Sequence, residues 1–168
     1  MFYHQQGTFS LGGPVRPERN RKNKLALVKQ GRSHGIIVYS NKMPVGWCQY
    51  GIREELPRIE TIRAYKRRRP YKGKRRLWRI TCFFVDRDFR GRNVAGFALK
   101  AALTAIRRKG GGVVEAYPVK SVKNVPGKTA RGKASFLWSG TVSMFKEAGF
   151  KIVAFLGKSR QLVRRTVA

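Results

Sequence analysis

Acidic side chains are what this sequence has least of: 8 Asp and Glu stand against 38 Lys and Arg in 168 residues, a formal net charge of +30. A surface so charged attracts phosphates, repels cations and binds nucleic acid non-specifically at low salt. Charge alone therefore points to an RNA-binding or ribosome-associated protein. Cysteine is scarcer still. Cys48 and Cys82 each lie inside an apolar, aromatic stretch, which marks them as buried, unreactive thiols rather than a disulfide or a metal site. Two histidines in unrelated contexts give no zinc-ligand spacing, so no metal is expected. No stretch reaches the ~20 apolar residues of a membrane span, and the N-terminus lacks a signal-peptide apolar core. A soluble, cytoplasmic protein with no membrane partner is the expectation. There is also no internal repeat.

What is present is the material of one core. Hydrophobic residues make up 42% and aromatics 11%, which argues for a folded chain, and the length suits a single domain over 1–168. Residues 1–17 carry scattered Gly and Pro without periodicity and read as an arm. A short helix is predicted over 19–30, with Leu25 and Val28 on one side. "GIIVYS" (35–40) and "VGWCQYG" (45–51) are β-rich runs joined by Asn41-Lys42-Met43-Pro44, a hairpin signal. Two basic passages, about 53–77 and 120–134, read as exposed loops; the first contains "RAYKRRRPYKGKRR". Between them come a strand at 78–86, a helix over 94–109 with Ala95, Leu99, Ala102 and Ile106 on one face, and a strand at 113–119. A short helix over 141–148 and two final strands close the chain. That order predicts a mixed α/β sheet rather than a sandwich or a bundle.

The stretch "FFVDRDFRGRNVAGFALKAAL" (83–103) carries the most chemistry. A strand feeds a turn that opens a helix, so successive backbone N–H groups and the helix dipole can converge on an anion. Arg90 and Arg92 add charge-assisted hydrogen bonds, and Gly91 and Ala95 are small enough for a ligand to approach the backbone. Asn93 stands where a glycine would suit, and Asn tolerates positive φ better than other side chains. The competing reading is a basic turn in a very basic protein.

This stretch resembles the acyl-CoA-binding motif of the GNAT superfamily of acyl-CoA-dependent N-acyltransferases: a strand, then R/Q-x-x-G-x-G/A, then a helix. Arg90 matches the first position, Asn93 replaces the glycine and Ala95 matches the last. "GTVSMFKEAGFKIVA" (140–154) is similar to the superfamily's later helix–strand segment ending in Gly-Phe, and "KMPVGWCQYG" (42–51) resembles its hairpin. The resemblance implies a mostly antiparallel central sheet flanked by helices, with a V-shaped splay between strands 78–86 and 113–119. Acetyl-CoA is the implied cofactor. Phe83, Phe84 and Val85 would pair with its pantetheine arm, and Arg90, Gly91, Arg92, Asn93, Val94, Ala95 and Gly96 would hold the pyrophosphate. The implied reaction transfers an acetyl group to the amine of a small molecule or protein, with proximity and oxyanion stabilisation carrying much of the rate.

The superfamily's residues do not all carry over. Where many members place a tyrosine acid, this chain has Phe145; Ser143 is the neighbouring hydroxyl. Glu115, in mid-strand beside the implied acceptor cleft, is a candidate base, with an ion pair to one of the many cations as the alternative. Glu55, after the hairpin, is a second candidate, against a solvated loop position. The superfamily opens with a strand and one or two helices before the hairpin, and only one short helix precedes it here. That implies an uncovered sheet edge, which dimerisation or a partner chain would cover. The charge exceeds what one cofactor needs, so the basic loops can also tether nucleic acid. Two rival readings follow: an RNA- or ribosome-associated protein on a GNAT-like fold, and a catalytically silent acyl-CoA-binding subunit.

Overall fold

The structure, a computed structural model, describes residues 15–68, 70–119 and 137–168. Most of the expected arm and the whole of the second basic loop lie outside those residues. Helix α1 (Val15–Lys29) precedes the hairpin β1 (His34–Ser40) and β2 (Met43–Ile52). Then come a 3-10 turn (Pro57–Thr61), α2 (Arg63–Arg67), β3 (Leu77–Val85), α3 (Val94–Arg108), β4 (Gly112–Ala116), α4 (Val142–Glu147), β5 (Lys151–Phe155) and β6 (Gln161–Val167). The six strands form one sheet in the order β1-β2-β3-β4-β6-β5. Only β3 and β4 run parallel; every other neighbouring pair is antiparallel.

Local chemistry explains the elements. The hairpin turns on Asn41 and Lys42 alone, with φ of 45° and 68°, and Ser40 already pairs with Met43. Two successive left-handed residues match the right-handed strand twist, so β2 starts two residues earlier than the sequence suggests. Pro44, which has no N–H to donate, sits beside the register shift between Val38 and Tyr39. In α3 the residues Ala98, Leu99, Ala102, Leu103 and Ile106 are buried against the sheet, at the predicted helical spacing. Helix α1 behaves differently. Leu25 and Val28 are 52% and 51% exposed, so the side predicted to pack does not.

The passage 53–77 is not wholly an exposed loop. Leu56, Ile59 and Tyr65 are buried there, on the 3-10 turn and α2, and Ile59 and Tyr65 join Tyr117 and Leu162 in a second small core. Three apolar residues among many cations suffice to fold the segment back onto the sheet. Arg79 of β3, fully buried, fixes it: Nη1 donates to the carbonyls of Leu56 (2.8 Å) and Arg53 (3.3 Å), and Nη2 pairs with Glu60. Glu60 also pairs with Arg53 Nε at 2.8 Å.

Helix α3 packs closely on Gly46 of β2, where a Cβ would lie 2.5 Å from Val94 Cγ1. Gly46→Ala should therefore cost about 1–3 kcal/mol, read as a lower urea midpoint. Adding Val94→Ala should relieve part of that cost; strictly additive losses in the double-mutant cycle would refute the contact. The Glu60 carboxyl offers a second test. Partial burial pushes its pKa up, but hydrogen bonds and charge from Arg79 and Arg53 outweigh this and hold it below the ordinary 4.5. Its stabilisation is thus present above pH 4.5 and lost as pH falls through the lower folded value. The stability gap between wild type and Glu60→Gln should shrink on acidification from pH 6 to pH 3. A pH-independent gap would show that Glu60 is not ionically engaged.

Candidate active site

β3 and β4 pair only from Leu77 to Ile80, against Val113 to Ala116. The parallel ladder stops there while β3 runs on to Val85. One residue later comes an irregularity: Gln49 of β2 faces Cys82 and Tyr50 faces Ile80, which leaves Thr81 unmatched as a bulge. The chain beyond β4 pairs elsewhere, through Val119 N–H to the Gly140 carbonyl (3.1 Å) and Val142 N–H to the Val119 carbonyl (3.2 Å). The two strands therefore splay, and the segment 137–147 forms the far wall of the opening.

The near wall is the turn after β3. The Asp86 carboxylate accepts from the Asp88 N–H at 3.0 Å, and this cap winds residues 87–89 into a 3-10 turn. Gly91 follows with φ 79° and Asn93 with φ 56°, ψ 22°, the left-handed conformation that this residue type tolerates. The Asn93 carbonyl accepts from Phe97 N–H at 3.1 Å and starts α3. N–H groups in the first turn of α3 have no acceptor within the helix, and its positive end faces the turn.

Between the walls lies a cleft of about 590 Å³. Eight of the ten cofactor-contact residues expected from sequence border it: Phe83, Phe84, Val85, Arg90, Gly91, Asn93, Val94 and Ala95. Arg92 and Gly96 do not. The Arg92 guanidinium lies over the Phe89 ring, 5.3 Å from its centre. Gly96 is buried beneath the Asn93 side chain, and a Cβ there would come within 2.2 Å of Asn93 Oδ1. Its smallness serves the turn rather than a ligand. Arg90 Nε donates to the Val85 carbonyl at 3.3 Å, which ties the arginine to the end of β3.

The catalytic candidates separate. Ser143 borders the cleft, with Oγ 3.0 Å from Thr141 Oγ1, which also accepts from Met144 N–H and caps α4. Phe145 is fully buried and packs edge-on against Phe83 and Phe150. Glu115 does not border the cleft. Its Oε2 accepts from Tyr65 Oη (2.9 Å) and Tyr117 Oη (3.0 Å), its Oε1 accepts from Arg164 Nε (2.6 Å), and Arg79 Nε is 4.0 Å away. A carboxylate so occupied is a structural ion-pair partner rather than a base open to substrate. Burial, then the Glu115 charge, pushes the Tyr65 and Tyr117 hydroxyls up, so both stay neutral donors. Glu55 is remote as well. It follows the end of β2 that pairs with Trp78, about 23 Å along β3 from Val85, and binds His34 Nδ1 (3.0 Å) and Ile52 N–H (3.1 Å). It is neither a base in this cleft nor solvated.

Trp138, Thr141, Met144 and Glu147 border the cleft without having been read from sequence as site residues. Thr141 marks a helix start, but nothing in the local pattern shows that Val119 carries this segment to β3. Glu147 is the one carboxylate among the lining residues. Both cysteines are free; burial pushes the Cys82 thiol up to about 11 and Cys48 higher still, which removes thiolate chemistry near neutral pH.

No curated protein sequence matches the chain. Solved structures do. A GNAT-family protein of Desulfovibrio desulfuricans superposes with a TM-score of 0.54 at 13% identity, over 96% of this chain and 87% of its own. The ribosomal-protein-alanine N-acetyltransferase of Brucella melitensis gives 0.54 at 15%, over 88% and 77%. The PaiA N-acetyltransferase of Thermoplasma acidophilum, solved with coenzyme A, gives 0.53 at 10%, over 90% and 72%. At these identities the likeness is one of fold. Residues 3–124 match the family model described as the acetyltransferase (GNAT) family, and a match over so much of the length means that the chain belongs to that family.

Proposed function

We propose that the chain binds acetyl-CoA in the cleft between β3 and the segment 137–147 and transfers its acetyl group to an amine. The observation that carries this is the open β3 edge at 81–85 running straight into a left-handed turn and a helix N-terminus. The residues fit the group. Phe83 to Val85 have no partner in β4, so the edge of β3 that faces away from β2 can pair with an extended amide-bearing arm, beside the Arg90 contact to the Val85 carbonyl. Arg90, Gly91 and the first N–H groups of α3 suit a pyrophosphate. Phe84, Trp138 and Met144 give the cleft an apolar lining.

When bound, acetyl-CoA supplies a thioester carbonyl and a good leaving group. The chain supplies position and fixed dipoles. The Thr141 and Ser143 hydroxyls lie on the wall opposite β3, along with Glu147, and can hydrogen-bond at the reacting end. No phenol occupies the Phe145 position, and a coenzyme thiolate leaves near neutral pH without one. The acceptor class is an amine on a small molecule or a protein. A polycation is disfavoured by the net charge of +30.

Titration calorimetry at ~150 mM salt should show saturable one-to-one binding of acetyl-CoA, weakened roughly tenfold or more in Arg90→Glu. Absence of binding would sink the reading. Thiol release against a panel of amines then tests turnover, and a flat response with intact binding would make the chain a silent acyl-CoA-binding subunit. Asn93→Gly should keep wild-type affinity, because it retains the left-handed turn. Asn93→Ala should lose about 1 kcal/mol of stability from the same φ. A clear loss of affinity in the glycine variant would assign the asparagine side chain a direct contact.

A further inference from the structure

A second cavity, of about 520 Å³, lies at the other end of the sheet. It is lined by Arg75 and Arg76 just before β3, Lys109 and the glycines 110–112 just after α3, and Val167 and Ala168 at the end of β6. Tight backbone packing builds it. A Cβ on Gly111 would come 2.3 Å from the Val167 carbonyl, and one on Gly112 equally close to that of Arg76. Gly110, Gly111 and Gly112 all have positive φ, so three strand ends converge and bring two basic segments together. Arg76 Nη1 reaches the Lys109 carbonyl at 3.5 Å, joining the segments directly.

The side-chain charges there are of one sign. Arg75, Arg76, Arg108 and Lys109 are exposed, and neither 72–76 nor 107–112 contains a carboxylate. Arg107 Nε is engaged by the Ala168 oxygen at 3.0 Å, so that oxygen is already paired. Val85 lies nine positions beyond Arg76 along β3, about 30 Å of extended chain. Across that distance, several Debye lengths at physiological salt, these cations add nothing to binding in the cleft.

We infer that this basic cavity is a binding site for the phosphodiester backbone of nucleic acid, independent of the acetyl-CoA cleft. Guanidinium forks at Arg75 and Arg76 match phosphate oxygens, and Lys109 adds a point charge at the rim. The cavity offers only two apolar side chains, Val167 and Ala168, which speaks against an apolar peptide anchor or a lipid surface. Contacts made to phosphate oxygens carry no sequence information, so binding through them should tolerate sequence.

The test uses the full chain and a labelled single-stranded RNA of about 20 nucleotides, titrated across salt. The triple neutralisation Arg75→Gln, Arg76→Gln, Lys109→Gln should weaken binding at least tenfold and reduce the log–log salt slope by about 2, at roughly 0.7 per lost contact. The control triple Lys146→Gln, Lys151→Gln, Lys158→Gln removes the same charge from exposed positions elsewhere and should change affinity less than threefold. Circular dichroism checks the fold of each triple, and the single change Arg75→Gln, with a slope change of about 0.7, serves if the triple fails. Acetyl-CoA affinity should be unchanged by saturating RNA. Equal losses in the two triples would reduce the effect to the net field and overturn the site. Competition between RNA and acetyl-CoA would overturn its independence. Stronger displacement of RNA by poly-glutamate than by unlabelled RNA of equal charge would give the cavity to an acidic protein instead.

Discussion

Beyond Ile80 the hydrogen-bond ladder between β3 and β4 stops, and most of what the molecule can do follows from that interruption. A parallel pair that continued would satisfy the backbone of 81–85 and leave no cleft. Two features keep the strands apart. Thr81 bulges out of the β2–β3 ladder, and its hydroxyl donates to Gln49 Oε1 at 3.3 Å, which turns the end of β3. On the other side Val119 pairs with the segment that leads into α4, so the chain after β4 is committed away from β3. The opening is held by structure on both sides, and the left-handed turn at Asn93 delivers a helix N-terminus to its mouth.

The scarcity of carboxylates constrains the chemistry. Glu115 is surrounded by Arg164, Tyr65 and Tyr117; Glu60 joins Arg53 to Arg79; Glu55 holds His34; Asp86 caps the turn after β3; Glu18 pairs with Lys22. The acids at the catalytically interesting positions are thus engaged in counterbalancing cations or shaping turns. Removing one partner of the buried set would strand an uncompensated charge, at a cost of about 3–5 kcal/mol. A site with hydroxyls, backbone donors and one rim carboxylate, Glu147, is suited to positioning an amine against an activated acyl group. It is poorly suited to reactions that need a strong buried acid or base.

The strand, turn and helix that border the cleft were legible because they are local. Strand, turn and helix are contiguous in 77–108, Asn93 and Gly91 announce positive φ by residue type, and the burial of α3 follows its spacing. What failed was whatever depends on side chains brought from afar. Glu115 reads as a base in mid-strand until Arg164 and Tyr65, 49 and 50 positions away, fold onto it. Tyr65 in turn was hidden in the most basic passage of the chain, where charge density masked the three apolar residues that fold it inward. Gly96 matched a motif for close ligand approach, yet its neighbour in space is the Asn93 side chain. Leu25 and Val28 had helical spacing, but their spacing does not say whether a surface exists for them to meet.

A net charge of +30 must be tolerated by the fold before it can be used. Self-repulsion destabilises a compact state, and the least costly solution spreads exposed cations over separate ends while pairing the buried ones. Both features are present: Arg79 and Arg164 meet Glu60 and Glu115 inside, whereas Arg75, Arg76, Arg108 and Lys109 sit at the tip of the sheet, in water. An anion held at the turn after β3, about 30 Å away, would be screened from that tip at physiological salt and would need only the arginine and helix end beside it. The charge at the tip is therefore in excess of what the cleft beside β3 would require, and it surrounds a cavity whose walls are held by three glycines at positive φ. A solvated face alone does not need such a cavity. On the readings proposed above, one end of β3 would hold an anionic cofactor and the other an anionic polymer, which would account for both the common fold and the uncommon charge.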